Sequence, residues 1–412
     1  MRNPSINVAV RSRTRKLAAA SVAATASLLV AACGSASSTS SSTTVPSSGS
    51  SGTTAASSAN SGGTYLVGVP IAETGPNAQA GTEIFDAEKL AADQINANGG
   101  VLGHKIVLNE QDDACTAQTS VAAANKLVSL GVKAVVGGYC SGASLPAEPI
   151  YSRAGIPNIL AAPNSSALVQ GGDKSVFLMD PTSSLQAQEA AKFFANVLHS
   201  KKVQVVDDQS AFGVNVADLV QSNLKTLGVP TASIQAVPAT QTDFSALINT
   251  IKSNGATAVY FAGYYAEWGL IVKQMRAAQV TIPLVGADGS VDPAFITTAG
   301  TAANGTYFTI ARTTQFLQGS AATAFTNQYK STFGSTPGPY SAYGYDGMNT
   351  LAAAIKQANS LNPAKVISAL HSINTTGLTG SISFASDGAR QGASFVVLKV
   401  VDGNFALAPV QP

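Results

Sequence analysis

Short apolar runs alternate with longer stretches of helical periodicity along most of the chain. The first run is Tyr65-Leu-Val-Gly-Val-Pro-Ile71; a Gly/Pro turn follows, then residues 81–96, where apolar positions recur at three- and four-residue spacing. The pattern repeats at 105–108 with 119–130, at 134–136 with 144–153, and at 203–206 with 214–227. Two further units lie at 258–261 with 266–278 and at 284–285 with a short helix near 293–298. Continuous apolar runs, rather than alternating ones, mark strands buried on both faces. The pattern therefore predicts an α/β fold of parallel sheets covered by helices.

In open sheets of this kind a ligand sits beyond the carboxyl ends of the strands. The residues just after each run are small and polar: Gly137-Gly-Tyr-Cys-Ser-Gly142, Ala161-Ala-Pro-Asn-Ser-Ser166, Gly263-Tyr-Tyr265 and Gly286-Ala-Asp-Gly289. Glycine at such places lets backbone N–H groups approach a ligand closely.

The N-terminus departs from this pattern. Arg2, Arg11, Arg13, Arg15 and Lys16 precede an apolar run at 17–32 that stops at Cys33, the arrangement of a secretory signal. The run is about 16 residues, short of the roughly 20 that a spanning helix needs. Val30-Ala31-Ala32-Cys33 resembles the bacterial lipobox, which implies a lipidated, membrane-anchored Cys33 at the mature N-terminus. From Gly34 to Ser61 the chain is almost wholly Ser, Thr, Ala and Gly, too poor in apolar surface to fold. It reads as a tether with an r.m.s. reach of roughly 30 Å.

Composition narrows the function. The chain carries a net charge of +2; removing residues 1–33 takes away five positive charges and no acid, leaving −3, so no basic nucleic-acid footprint remains. About 350 residues are left, enough for two lobes with separate cores. Beyond Cys33 the cysteines are Cys115 and Cys140, following apolar runs expected side by side in one sheet; a disulfide or two buried thiols fit them better than a metal site, because His104, His199 and His371 are scattered. No P-loop, G-x-G-x-x-G, G-x-S-x-G or H-E-x-x-H motif occurs, so neither enzyme signature nor cofactor is expected. The acid pairs Asp112-Asp113 and Asp207-Asp208 read as solvated strand-end carboxylates rather than a metal or acid/base pair.

A series of fragments carries a resemblance. Gly75-Pro76, Ala91-Ala-Asp-Gln-Ile-Asn-Ala-Asn-Gly-Gly100, Asp112-Asp-Ala-Cys-Thr116, Ala124-Asn-Lys-Leu-Val128, Cys140-Ser-Gly-Ala-Ser144, Asp243-Phe-Ser-Ala-Leu247 and Tyr260-Phe-Ala-Gly-Tyr-Tyr-Ala-Glu-Trp-Gly269 resemble, in order, the branched-chain amino acid (Leu/Ile/Val) ABC transporter substrate-binding family of type I periplasmic binding proteins. The resemblance runs from Tyr65 to Phe308 and more loosely to Asp402. It implies two doubly wound parallel-sheet lobes joined by three crossovers, near 180–184, 309–312 and 383–388. The resulting division is a signal and lipobox at 1–33, a tether at 34–63, one lobe from 64–182 and 311–385, and another from 183–310 and 386–412. It also implies a Cys115–Cys140 bridge.

Carried over position by position, the resemblance implies that Ser141 and its backbone hold a ligand carboxylate, and that the Ala162 carbonyl, Tyr264 and Asp288 hold an ammonium. A buried ammonium must be paired, and an Asp supplies a charge-assisted acceptor. Three positions depart from the family: Asn164 for Thr, Asp288 for Glu, and Ala80 where an aromatic commonly covers the ligand. Tyr139 either refills that space or packs in the core. The function implied is an extracytoplasmic lipoprotein that captures a small amino-acid-like ligand and passes it to the membrane permease of an ABC importer. A sensing module of the same fold, or a carrier for an amide, a urea-like compound or a small aromatic acid, is the alternative. An exported amidase would need an activated nucleophile, for which Cys140 is the sole thiol.

Overall fold

The computed structural model describes residues 62–412. The first sheet is built from β1 (Thr64–Ile71), α1 (Ala78–Ala97), β2 (Lys105–Asp112), α2 (Ala117–Leu130), β3 (Ala134–Gly137), α3 (Ser141–Arg153), β4 (Asn158–Leu160), α4 (Ala167–Gln170) and β5 (Val176–Leu178). Its strands are all parallel, in the order β2-β1-β3-β4-β5. The second sheet follows: α5 (Ser183–Lys192), β6 (Val203–Asp207), α6 (Ala211–Thr226), β7 (Gln235–Ala236), α7 (Ser245–Ser253), β8 (Ala258–Ala262), α8 (Tyr265–Ala277), β9 (Leu284–Gly286), α9 (Pro293–Ala299) and β10 (Tyr307–Ala311). After these come α10 (Ser320–Phe333), α11 (Ser341–Ala358), α12 (Pro363–Leu370), β11 (Thr375–Gly377), β12 (Gly380–Ile382), β13 (Phe395–Val401) and β14 (Asn404–Leu407). The second sheet runs β14-β13-β10-β9-β8-β6-β7, parallel except where β13 pairs antiparallel with β10 and β14.

The central strands are fully buried, as continuous apolar runs require: β3, β6 and β8 have no exposed residue. The helices start where the sequence supplies caps. Thr116 accepts from the Thr119 N–H at the start of α2, Ser210 from Gly213 at α6, and Asp292, followed by Pro293, from Ala294 at α9. Helix α11 returns to the first sheet, packing along α1 and against β3 and β4, so late sequence completes the first half of the molecule.

Three expectations need correction. β2 does not stop at Leu108: it stays in register with β1 as far as Asp112, opposite Ile71. It is an edge strand, so Asn109, Glu110 and Gln111 can face partly outward while their backbone is paired on one side. Three of the four paired acids are not solvated; Asp112 alone stays partly open to solvent. Asp113, Asp207 and Asp208 are only 2, 5 and 4 % exposed. Their oxygens accept backbone N–H groups of the turns that follow, from Cys115, Gln209 and Ser210, while half-buried Asp112 accepts from Glu73, Thr74 and Ala114. The runs preceding the two cysteines are not neighbours either, because β1 lies between β2 and β3.

Cys115 and Cys140 are nonetheless bonded, with Cα atoms 5.3 Å apart at a sequence separation of 25. The bridge spans the end of β1 and ties the turn after β2 to the start of α3. Closing a loop of this length stabilises by about 3 kcal/mol in the chain-entropy model. The double variant Cys115→Ser, Cys140→Ser should melt several degrees below the wild type in a thermal scan; an unchanged Tm would contradict a structural role for the bridge.

Candidate functional site

The carboxyl ends of both sheets meet at one small cavity, about 210 Å³ of empty space, lined by Tyr139, Ser141, Ala162, Asn164, Phe212, Tyr264, Asp288, Gly289 and Tyr340. Side chains nearly fill it as it stands, far below the roughly 300–1,000 Å³ of sites for drug-sized molecules. Six of the residues singled out in the sequence come together here. Ala80 does not: it lies buried in the first turns of α1, outside the lining. Gly289 belongs to the run after β9 already noted, and Phe212 and Tyr340 are added by the structure.

Backbone geometry at the end of β3 allows the approach. Gly138 has φ +89, a region disfavoured for residues with a Cβ, and a Cβ there would also lie 3.1 Å from the Pro163 ring. The chain can therefore turn at once into Tyr139, Cys140 and α3. Ser141 is the first residue of α3, so the cavity faces a helix N-terminus with unpaired N–H groups and partial positive charge. Its hydroxyl accepts the Ser165 N–H at 3.2 Å, which ties the ends of β3 and β4 together.

Facing this positive end is a negative one. Asp288 begins the turn after β9 and is 2 % exposed. One carboxylate oxygen accepts the Gly289 N–H at 2.8 Å and the other accepts the Asn164 amide. The same amide donates to Asp180 at 3.2 Å, so Asn164 bridges two buried carboxyls and its NH₂ is committed to them. Burial raises the Asp288 pKa, against hydrogen bonding from Gln186, Gly289 and Asn164 that favours the charged form. Asp180 is raised further, first by burial and then by the charge of Asp288, with the Arg390 guanidinium opposing. Both carboxyls are thus pushed toward the protonated form, Asp180 the more strongly. The outer oxygens of Asp180, Asn164 and Gln186 are buried without partners, leaving this end rich in acceptors and short of donors.

Aromatic rings close the remaining sides. Tyr139 lies 5.5 Å from Tyr264 and 5.7 Å from Tyr340, ring to ring, and Tyr264 lies 5.4 Å from Phe212. Of the two roles open to Tyr139, the structure places it in the wall, where its hydroxyl donates to the Gly289 carbonyl at 3.3 Å. Asp208 accepts the Tyr264 N–H at 3.2 Å and so fixes that loop. Tyr139–Gly289 and Asn164–Asp288 both run from the first sheet's loops to the second's, as does the bond from the Tyr265 hydroxyl to the Pro76 carbonyl at 2.8 Å. The two halves are thus in contact across the cavity. A cation with several N–H donors beside an anionic group would match this polarity.

Comparison with known proteins agrees with this architecture. The model of the periplasmic binding protein family matches residues 64–404. An amino acid binding protein of Pseudomonas aeruginosa is 32 % identical over 348 residues, covering 84 % of this chain and 92 % of its own length. A leucine-, isoleucine-, valine-, threonine- and alanine-binding protein of the same organism is 31 % identical over 324 residues, covering 79 % and 86 %. Among solved structures, the leucine binding protein of Thermotoga maritima superposes with a TM-score of 0.79 at 26 % identity, over 84 % of this chain and 98 % of that one. The branched-chain amino acid substrate-binding protein of Streptococcus pneumoniae, in complex with isoleucine, gives 0.77 at 27 %, over 85 % and 100 %. With its two α/β sheets meeting at a buried polar cavity and a family match along nearly all of the described residues, the chain belongs to the periplasmic binding protein family of extracytoplasmic solute-binding proteins.

Proposed function

We propose that the protein captures a small amino acid, of the branched-chain or a similar class, between two closing lobes and delivers it to the permease of an ABC importer. The observation that carries this reading is the opposition of Asp288 to the N-terminus of α3 across one cavity. A zwitterionic head has matching ends: its carboxylate fits Ser141 and the helix N–H groups, and its ammonium fits Asp288 with the Ala162 carbonyl and the Tyr264 hydroxyl. The ammonium would take the place of the Asn164 amide at Asp288, a neutral donor giving way to a charged one. The apolar side chain would then meet the aromatic wall. A ligand with a carboxylate and no amine would leave Asp288 facing unmatched negative charge, which favours amino acids over simple aromatic acids.

In this reading the lobes are 64–182 with 311–385 and 183–310 with 386–412, and the passages between the sheets act as the hinge. Cys33, which lies outside the described residues, carries the lipid that anchors the protein to the membrane, with 34–63 as its tether. Relatives that bind leucine, isoleucine and valine support the ligand class. Tyr139 and Tyr340 narrow the pocket, which favours small side chains.

Two experiments test the proposal. In calorimetric titration with the amino acid that binds best, Asp288→Ala should weaken binding by roughly 30-fold to several thousand-fold, the effect of about 2–5 kcal/mol from a buried charge left unpaired. Ser141→Ala should lose less, about 1.5–3 kcal/mol, since the backbone donors remain. Asp288→Ala binding as tightly as wild type would contradict the ammonium anchor. For the lipid, mass spectrometry of the membrane fraction should find a diacylglyceryl-modified N-terminus at Cys33 that Cys33→Ala abolishes; an unmodified wild-type terminus at another residue would contradict it.

A further inference from the structure

Among the described residues Arg390 is the one Lys or Arg that is buried, at 7 % exposed, and it lies where the chain passes between the two sheets. There are three such passages: from β5 to α5, from β10 to α10, and from β12 to β13. Arg390 stands on the third and reaches the other two. One guanidinium nitrogen donates to the Met179 carbonyl, at the start of the first passage, and to the Thr379 hydroxyl, both at 2.8 Å. The other donates to the Thr379 and Ser381 carbonyls at 3.1 and 2.9 Å. The guanidinium carbon lies 5.8 Å from the centre of the Tyr343 ring, whose hydroxyl donates to the Arg312 carbonyl in the second passage at 3.2 Å. The first and third passages also meet directly, where the Leu178 N–H donates to the Gly388 carbonyl at 3.0 Å. Only a guanidinium serves acceptors spread in this way, because its donors fan out in a rigid fork.

The same cation acts on the acids behind the cavity. Its charge opposes the effect of burial and of Asp288 on Asp180, the residue that follows Met179. Asp180 in turn accepts from the Asn164 amide that also serves Asp288. On the other side Asp346, buried on α11, accepts the N–H and hydroxyl of Thr379, so the residue that receives two of the Arg390 bonds is itself held in place. We propose that Arg390 is a positioning residue for ligand capture: it ties the three passages together in the arrangement in which the two halves meet, and keeps Asp180 seated behind Asn164 and Asp288. Arg390 does not line the cavity, so its influence on a ligand passes through the passages and through Asp180. The effect on ligand affinity rests on the function proposed above; the effect on how the halves rest against each other does not.

Solution scattering of the ligand-free protein reads the second effect, and calorimetric titration with leucine reads the first. Arg390→Met removes all four donated bonds and should give a larger radius of gyration than the wild type, at a temperature where its melting curve still shows folded protein. Leucine should bind it about tenfold more weakly, as when only about a tenth of the molecules rest in the binding arrangement. Saturating leucine should bring its radius of gyration back to the wild-type value. A role in stability alone would lower Tm and leave radius and affinity unchanged. Arg390→Lys, which keeps the charge without the fork, should fall between the two, and Tyr343→Phe, which keeps the ring and frees the Arg312 carbonyl, should weaken leucine in the same direction. These two variants carry the test should Arg390→Met fail to fold. Asp180→Asn combined with the Arg390 variant should weaken leucine by less than the product of the single effects, the mark of one residue acting through another. A larger radius in the variant, with no leucine binding even by the wild type, supports the role of Arg390 at the passages and overturns the amino-acid reading. Unchanged radius and unchanged leucine affinity in the folded Arg390 variants would overturn the proposal.

Discussion

Two carboxyl groups share one side-chain amide in the seam between the sheets. Asn164 donates to both Asp180 and Asp288, each almost wholly removed from water. Burying a carboxylate costs several kcal/mol unless it is neutralised, hydrogen-bonded or paired, and here all three remedies are partly applied. Burial pushes Asp180 toward its protonated form, Gly289 and Asn164 donate to Asp288, and the charge of Arg390 acts on Asp180. The arrangement is satisfied but not saturated, since the outer oxygens of Asp180, Asn164 and Gln186 have no hydrogen-bond partner among the described residues. In the proposed reading a ligand cation would supply what is missing, so binding and the closing of the halves over one another would draw on the same deficit.

The scaffold around this seam makes the deficit sustainable. Asp288 stands at the end of β9, Ser141 at the start of α3 after β3, and Asn164 beyond β4, so three strand ends from two sheets converge without any long loop. The Cys115–Cys140 bridge holds the entry to α3, and Asp208 fixes the Tyr264 loop from the end of β6. Residues that resemble loose surface acids in the sequence are thus part of the frame. Their backbone partners explain how acidic side chains can be buried beside an already acidic site.

Much of the architecture is legible in the sequence because both sheets are buried on two faces, which writes their strands as uninterrupted apolar runs. Strand-end logic then leads to Ser141, Ala162, Asn164, Tyr264 and Asp288, all of which line one cavity. The edge strand β2 is legible only in its first half, since one-sided pairing tolerates polar residues. Ala80, where the resemblance implies that an aromatic commonly covers the ligand, carries only a methyl group and lies outside the lining. Tyr340 precedes α11, which returns from late in the chain, and only the tyrosine cluster at 340, 343 and 345 marks it. Asp180 is hidden because its significance depends on Asp288, more than a hundred residues away. Turn amides that rescue Asp113 and Asp208 leave no trace in composition.

The central claim is that a ligand cation completes the buried acceptor set at Asp288. The most direct measurement compares leucine with 4-methylpentanoate, the same skeleton without its amine, by calorimetric titration of the wild type at one pH and ionic strength. The account predicts that leucine binds and that removing the amine weakens binding by roughly 30-fold or more. Equal affinity for the two compounds would contradict it.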